Sequence, residues 1–193
     1  MKTLALFLCI CSSAFAGQTP TPTPTPPSTV SISGTVLYCS NSPLPPVPNV
    51  TLTLIGTLTG STLSDSSGNY TFSSLPSGGS YTVTPSKAAL PPGSADIDTK
   101  DVSATLRYRF IIGPPITGCW LTAADVNGDT VINVVDAIAI QRFSLGLSIG
   151  IANTGTYQFT PMSRSYPGVV TDQTGQDYDT IIFGDVVSPF ATP

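Results

Sequence analysis

The chain has no histidine and no glutamate among its 193 residues, and only 9% of its residues are charged. Those two side chains are the commonest general acids and bases, so their absence predicts a protein that is not an enzyme. All eleven acidic residues are aspartates, set against seven lysines and arginines for a formal net charge of −4. The basic residues are scattered and form no stripe of the kind that binds nucleic acid. No segment is long and apolar enough to span a bilayer. What is abundant instead is Ser, Thr, Gly and Pro, the composition of short strands joined by turns.

The N-terminus, "MKTLALFLCICSSAFA", has a basic start, an apolar run over residues 4–10 and a small-x-small end at Ala14-Phe15-Ala16. It reads as a signal peptide over residues 1–16, which places the protein outside the cell or at its surface. Lipidation at Cys9 or Cys11 is the alternative, although Leu8 and Ile10 are bulky where such sites want small residues. Removal of the leader leaves Cys39 and Cys119. In an oxidising compartment two cysteines suggest one internal disulfide; two separate thiols or a bond to another chain are the other readings. Residues 17–29 hold "TPTPTPPS", a stiff polyproline-type arm of roughly 3 Å per residue, either a simple tail or a reach towards a neighbour.

From Val30 the pattern alternates with period two. Val30, Ile32, Val36 and Tyr38 fall on one face, as do Val50, Leu52 and Leu54, then Tyr70 and Phe72, then Tyr81 and Val83. Gly, Pro, Asn and Ser punctuate these runs, with a hairpin turn at Asp65 to Tyr70. The expectation is a mainly β protein built on an antiparallel β-sandwich.

"VSISGTVLY", "VPNVTLTLIG" and "TLSDSSGNYTFSSLPSGGSYTVTPSK" together resemble the carboxypeptidase regulatory-like, prealbumin-like sandwich of secreted bacterial proteins. The resemblance covers residues 30–87 and implies an accessory or structural domain. The family's usual next strands are absent after Lys87 and come much later, in "TYQFTPMSRSYPGVVTDQTGQDYDTIIFGD". There Tyr157 and Phe159 alternate, as do Tyr178, Thr180 and Ile182 or their opposite register. The sandwich is therefore expected to be discontinuous, residues 30–87 plus 154–187. Residues 88–153 would be inserted as a small α-helical module, with a tail over 188–193.

Within the insert, "DVNGDTVINVVD" places Asp125, Asn127, Asp129, Asn133 and Asp136 at loop positions 1, 3, 5, 9 and 12. That is the oxygen spacing of an EF-hand-type loop around Ca2+, with the Val131 carbonyl at position 7. Thr130 stands where glycine usually makes the sharp turn. "IDTKDVSATLRY" repeats as "INVVDAIAIQRF" at an offset of 35, aligning Asp101 with Asp136, Arg107 with Arg142 and Tyr108 with Phe143. These duplicated loop-helix units resemble dockerins, calcium-dependent docking modules. The first copy is degenerate, with Leu90, Pro92 and Ser94 at positions 1, 3 and 5. Asp96, Asp98 and Asp101 remain as a second, weaker site, or as a cap and a structural remnant.

The resemblance implies cohesin recognition through polar residues just before position 12. Here those are Thr99 and Lys100 in one copy but Val134 and Val135 in the other. The leading expectation is a secreted, calcium-stiffened structural subunit acting through protein contacts, self-associating or meeting a surface partner, with a filament as one form of the assembly. The alternative is a dockerin docking to a cohesin in an extracellular polysaccharide-degrading or cell-surface complex. An aspartate-only enzyme is the least favoured; Asp177 and Asp179 share a strand face and read as solvated edge charges.

Overall fold

A computed structural model describes residues 28–39, 45–113, 115–147 and 152–187. The leader, nearly all of the Thr/Pro arm and the tail over 188–193 lie outside the described residues. The first half of the chain gives five strands: β1 (Thr29–Tyr38), β2 (Thr51–Gly56), β3 (Gly60–Leu63), β4 (Asn69–Pro76) and β5 (Gly79–Ser86). Three helices follow, α1 (Thr99–Phe110), α2 (Cys119–Ala124) and α3 (Val134–Ser144). Three more strands close the chain: β6 (Tyr157–Thr160), β7 (Arg164–Val169) and β8 (Tyr178–Ile182).

The protein is mainly β, with two four-stranded sheets in the orders β4-β1-β8-β6 and β3-β2-β5-β7. Each sheet thus mixes early and late strands. The alternation seen in the sequence is what buries one face of each. Val30, Ile32, Val36 and Tyr38 of β1 are all buried, as are Leu52 and Leu54 of β2 and Tyr81 and Val83 of β5. In β4 the buried positions slip from Tyr70 and Phe72 to Leu75, because Ser74 takes a left-handed φ of 59°. These side chains and Tyr178 and Ile182 of β8 form one continuous core. Two sheets sharing one core is the arrangement of a sandwich.

One pairing departs from the all-antiparallel expectation. β8 runs parallel to β1, with Val36 opposite Tyr178 and Tyr38 opposite Thr180. Parallel neighbours need a long crossover, and here almost the whole chain separates the two strands. The lower half of β1 is covered by the segment that leads into β8. Asp172 and Asp177 accept hydrogen bonds from the Ser31 and Thr35 N–H groups, at 2.8 Å each. Asp177 is therefore a partner of β1 rather than a solvated edge charge. Gly34 makes this approach feasible, since a Cβ there would collide with the Gln176 backbone.

Candidate calcium site

α2 runs directly into the loop at residues 125–136, and the loop runs directly into α3. Asn133 caps α3: its side chain accepts from the Val135 N–H at 2.7 Å, and Asp136 reaches back to the Asn133 N–H at 2.9 Å. This reciprocal box satisfies the orphan N–H groups of the first turn, and the Asp136 charge suits the helix dipole. The start of the loop is turned by Asp125. Its carboxylate accepts from the N–H groups of Gly128 (2.9 Å), Asp129 (3.1 Å) and Thr130 (2.8 Å). Asp129 in turn accepts from Val131 N–H at 2.8 Å.

Two residues of this turn are left-handed, Gly128 at φ 73° and Thr130 at φ 70°. The sharp turn at position 6 is thus made without glycine. A left-handed β-branched residue carries about 1–2 kcal/mol of strain.

The side chains are gathered on one loop but are held by the backbone. Among the described residues, no three His, Cys, Asp or Glu side chains stand together at metal-holding distance. The Asn127 amide donates to Asp129 at 2.9 Å and the Asn133 amide donates to the Val131 carbonyl at 3.0 Å. Burial pushes the Asp136 carboxyl above its ordinary range, against the backbone N–H groups that pull it down; the charges of Asp125 and Asp129 push it further up. Three carboxylates with amide and carbonyl oxygens on one loop are a donor type that suits calcium, although here the carboxylates are turned onto backbone N–H groups and do not converge. The residues that would hold it are Asp125, Asn127, Asp129, Asn133 and Asp136 with the Val131 carbonyl. Bound there, the ion would supply charge neutralisation and cross-link the two halves of the loop.

The first copy has the same helix start and a different use for it. Asp98 caps α1 and Asp101 completes the box, matching Asn133 and Asp136. The fully buried Asp101 carboxylate accepts from Asp98 N–H at 2.8 Å with one oxygen. With the other it accepts from Val186 N–H at 2.7 Å and Val187 N–H at 3.1 Å. Asp98 accepts from Lys100 N–H and lies 3.5 Å from the Lys100 ammonium, while Asp96 stands on the approach to the helix. Asp101 thus staples the end of the chain to α1. The repeat pointed to Asp101 as a special position, but nothing in the sequence named Val186 and Val187 as its partners.

The whole helical segment is fastened to one end of the sheets. A disulfide joins Cys39, just past β1, to Cys119 at the start of α2, with the Cα atoms 5.6 Å apart. Further along, Gly184 N–H donates to the Ala123 carbonyl at 2.8 Å, and Asn153 N–H donates to the Val126 carbonyl at 2.7 Å. Val126, the second loop residue, is itself fully buried in the core. The candidate site therefore sits on a segment tied to the chain flanking β1, β6 and β8, strands of one sheet.

Burial is the first cause raising the carboxyls of Asp96, Asp101 and Asp136. A raised folded-state value means that the folded protein holds protons more tightly than the unfolded chain. In chelator, melting temperature is therefore expected to rise as pH falls from neutral through these raised values, and to stop rising near the ordinary aspartate range. The exposed Asp65, lowered mainly by the Asn69 N–H, acts in the opposite sense. With calcium bound, protons compete with the ion at Asp136, so the acid gain should shrink or reverse. Thermal melts at several pH values, with and without calcium, check the sign.

Among the described residues no helix is long and apolar enough to cross a membrane. A disulfide of this kind persists in an oxidising environment. The carboxypeptidase regulatory-like domain family model matches residues 31–109, from β1 through β5 and into α1. No curated protein matches the chain. The match supports the prealbumin-like reading of the sheets, and the family it names is regulatory-like and not catalytic.

Proposed function

We propose that the protein is a secreted, calcium-binding structural subunit that works through contacts with copies of itself or a surface protein. One observation carries this reading: the candidate calcium loop belongs to a helical cap anchored beside one sheet by a disulfide at Cys119 and by backbone hydrogen bonds at Ala123 and Val126, where the loop begins. An ion bound at residues 125–136 would stiffen that junction. It would fix the angle between a dockerin-like insert over 88–153 and the discontinuous sandwich of 30–87 and 154–187. A subunit of fixed shape is one that repeats regularly in an assembly. Secretion is supported by the leader-like start over residues 1–16 and by the Cys39–Cys119 bond.

A second reading is a dockerin that meets a cohesin. It is favoured by the repeat, whose Asp101 and Asp136 take equivalent positions in the first turns of α1 and α3, while the half-exposed Val134 and Val135 stand where the resemblance expects polar residues and weigh against it. Sedimentation velocity over a range of concentrations, with calcium and then with chelator, separates the two. Calcium-dependent self-association supports the structural subunit. A monomer under all conditions that binds tightly to an added cohesin domain supports the alternative.

A further inference from the structure

α1 ends in apolar residues that the fold leaves uncovered. Ile111 is 93% exposed, and Phe110 and Ile112 are exposed beside it. Ile111 also caps the helix at a left-handed φ of 57°, a conformation that β-branched residues avoid. Across from it, Thr130 and Val131 of the candidate calcium loop form a second wall, again with a left-handed non-glycine residue at Thr130. Between them lies a groove of about 730 Å³ lined by Arg107, Tyr108, Ile111, Ile112, Val131 and Ile132 among others, with no acidic residue in it. Backbone strain and exposed apolar surface coincide at one place, which points from the outlier to a binding role.

We infer that this groove receives the Thr/Pro segment, residues 18–28, of a second copy of the chain. The proposal rests on the assembly reading above and names its contact. Residues 18–28 carry no charge and five prolines. Each proline lacks an N–H, so the segment offers more backbone carbonyl acceptors than N–H donors. An apolar groove with a tyrosine in its wall packs against proline rings, and the guanidinium groups of Arg107 and Arg109 at its rim donate to the free carbonyls.

Geometry selects a neighbour over the chain's own arm. The arm leaves from Ser28, whose carbonyl accepts from Ser77 N–H, at the Thr29 end of β1. The helices sit at the other end, past Tyr38, where Cys39 is bonded to Cys119. β1 is roughly 30 Å long at about 3.3 Å per residue. The eleven-residue arm, at about 3.1 Å per residue, reaches roughly 34 Å. Folding back along all of β1 would use about 30 of those roughly 34 Å and leave little more than one residue to lie in the groove. A second copy stacked end to end presents its groove directly to the arm, and the contact repeats head to tail.

The test uses two full-length variants. In the arm variant Pro20, Pro22, Pro24, Pro26 and Pro27 all become alanine; in the groove variant Tyr108→Ala is combined with Ile111→Asp. Each alone is expected to self-associate at least ten-fold more weakly than wild type in sedimentation velocity. Mixed together, the intact arm of one meets the intact groove of the other and gives a 1:1 complex that does not grow. Ile111→Gly relieves the left-handed strain, so it should melt no lower than wild type and still weaken assembly. If wild type assembles and both variants assemble equally well, or if the mixture stays monomeric, this contact is refuted while the assembly reading stands. If wild type never assembles, both fall.

Discussion

Replacing Asp125 and Asp129 together with alanine is expected to abolish the heat of calcium binding in titration calorimetry. Two of the three loop carboxylates go, and a hard divalent ion then faces only Asp136 and neutral oxygens. The same change should remove the thermal stabilisation that calcium is expected to give the wild type. For a ligand at one hundred times its dissociation constant that stabilisation is about 2.7 kcal/mol. Calcium-free stability should also drop, because the Asp125 carboxylate accepts three loop N–H groups and alanine accepts none. Asp98→Ala is the control. Asp98 caps α1 and pairs with Lys100, so its loss should lower the melting temperature modestly and leave the calcium heat unchanged. A loss of heat in Asp98→Ala would show that the first copy binds an ion after all.

The second large effect is expected from the disulfide. Cys39 and Cys119 are 80 residues apart in sequence, so the bond removes a long loop's worth of freedom from the unfolded chain. Changing both to serine should destabilise by about 2–4 kcal/mol. For a chain of this size that is a fall in melting temperature of roughly 5–15 °C. The bond also anchors the N-terminus of α2, which leads into the candidate calcium loop six residues later. The serine variant should therefore bind calcium more weakly while keeping its secondary structure by circular dichroism. A melting temperature unchanged by the substitution would mean that the hydrogen bonds at Ala123 and Val126 hold the junction by themselves.

Period-two alternation was enough to mark β1, β2, β4 and β5 and to choose the buried face in each, because burying one face is what selects the register. On β8 the alternation leaves both registers open; the structure buries Tyr178, Thr180 and Ile182, and Ile181 as well. β3 escaped notice because Gly60-Ser-Thr-Leu63 is a short edge strand whose side chains are mostly exposed, so it carries no alternation. β7 escaped because Pro167 and Gly168 lie inside it and read as a turn. The parallel pairing of β8 with β1 leaves no local trace at all. At the candidate site the loop spacing and the 35-residue repeat were legible, and Asp101 and Asp136 do occupy equivalent helix positions. What the repeat could not convey was the contact between Asp101 and the N–H groups of Val186 and Val187, which depends on how the chain's end is routed.

Calcium fixing the helical cap on the sheets, and the fixed subunit then assembling, is tested most directly by electron microscopy of the purified protein in calcium and in chelator. The account predicts regular oligomers or filaments in calcium that disperse when it is removed and return when it is restored. Isolated single subunits in both conditions, across a wide range of protein concentrations, would contradict it.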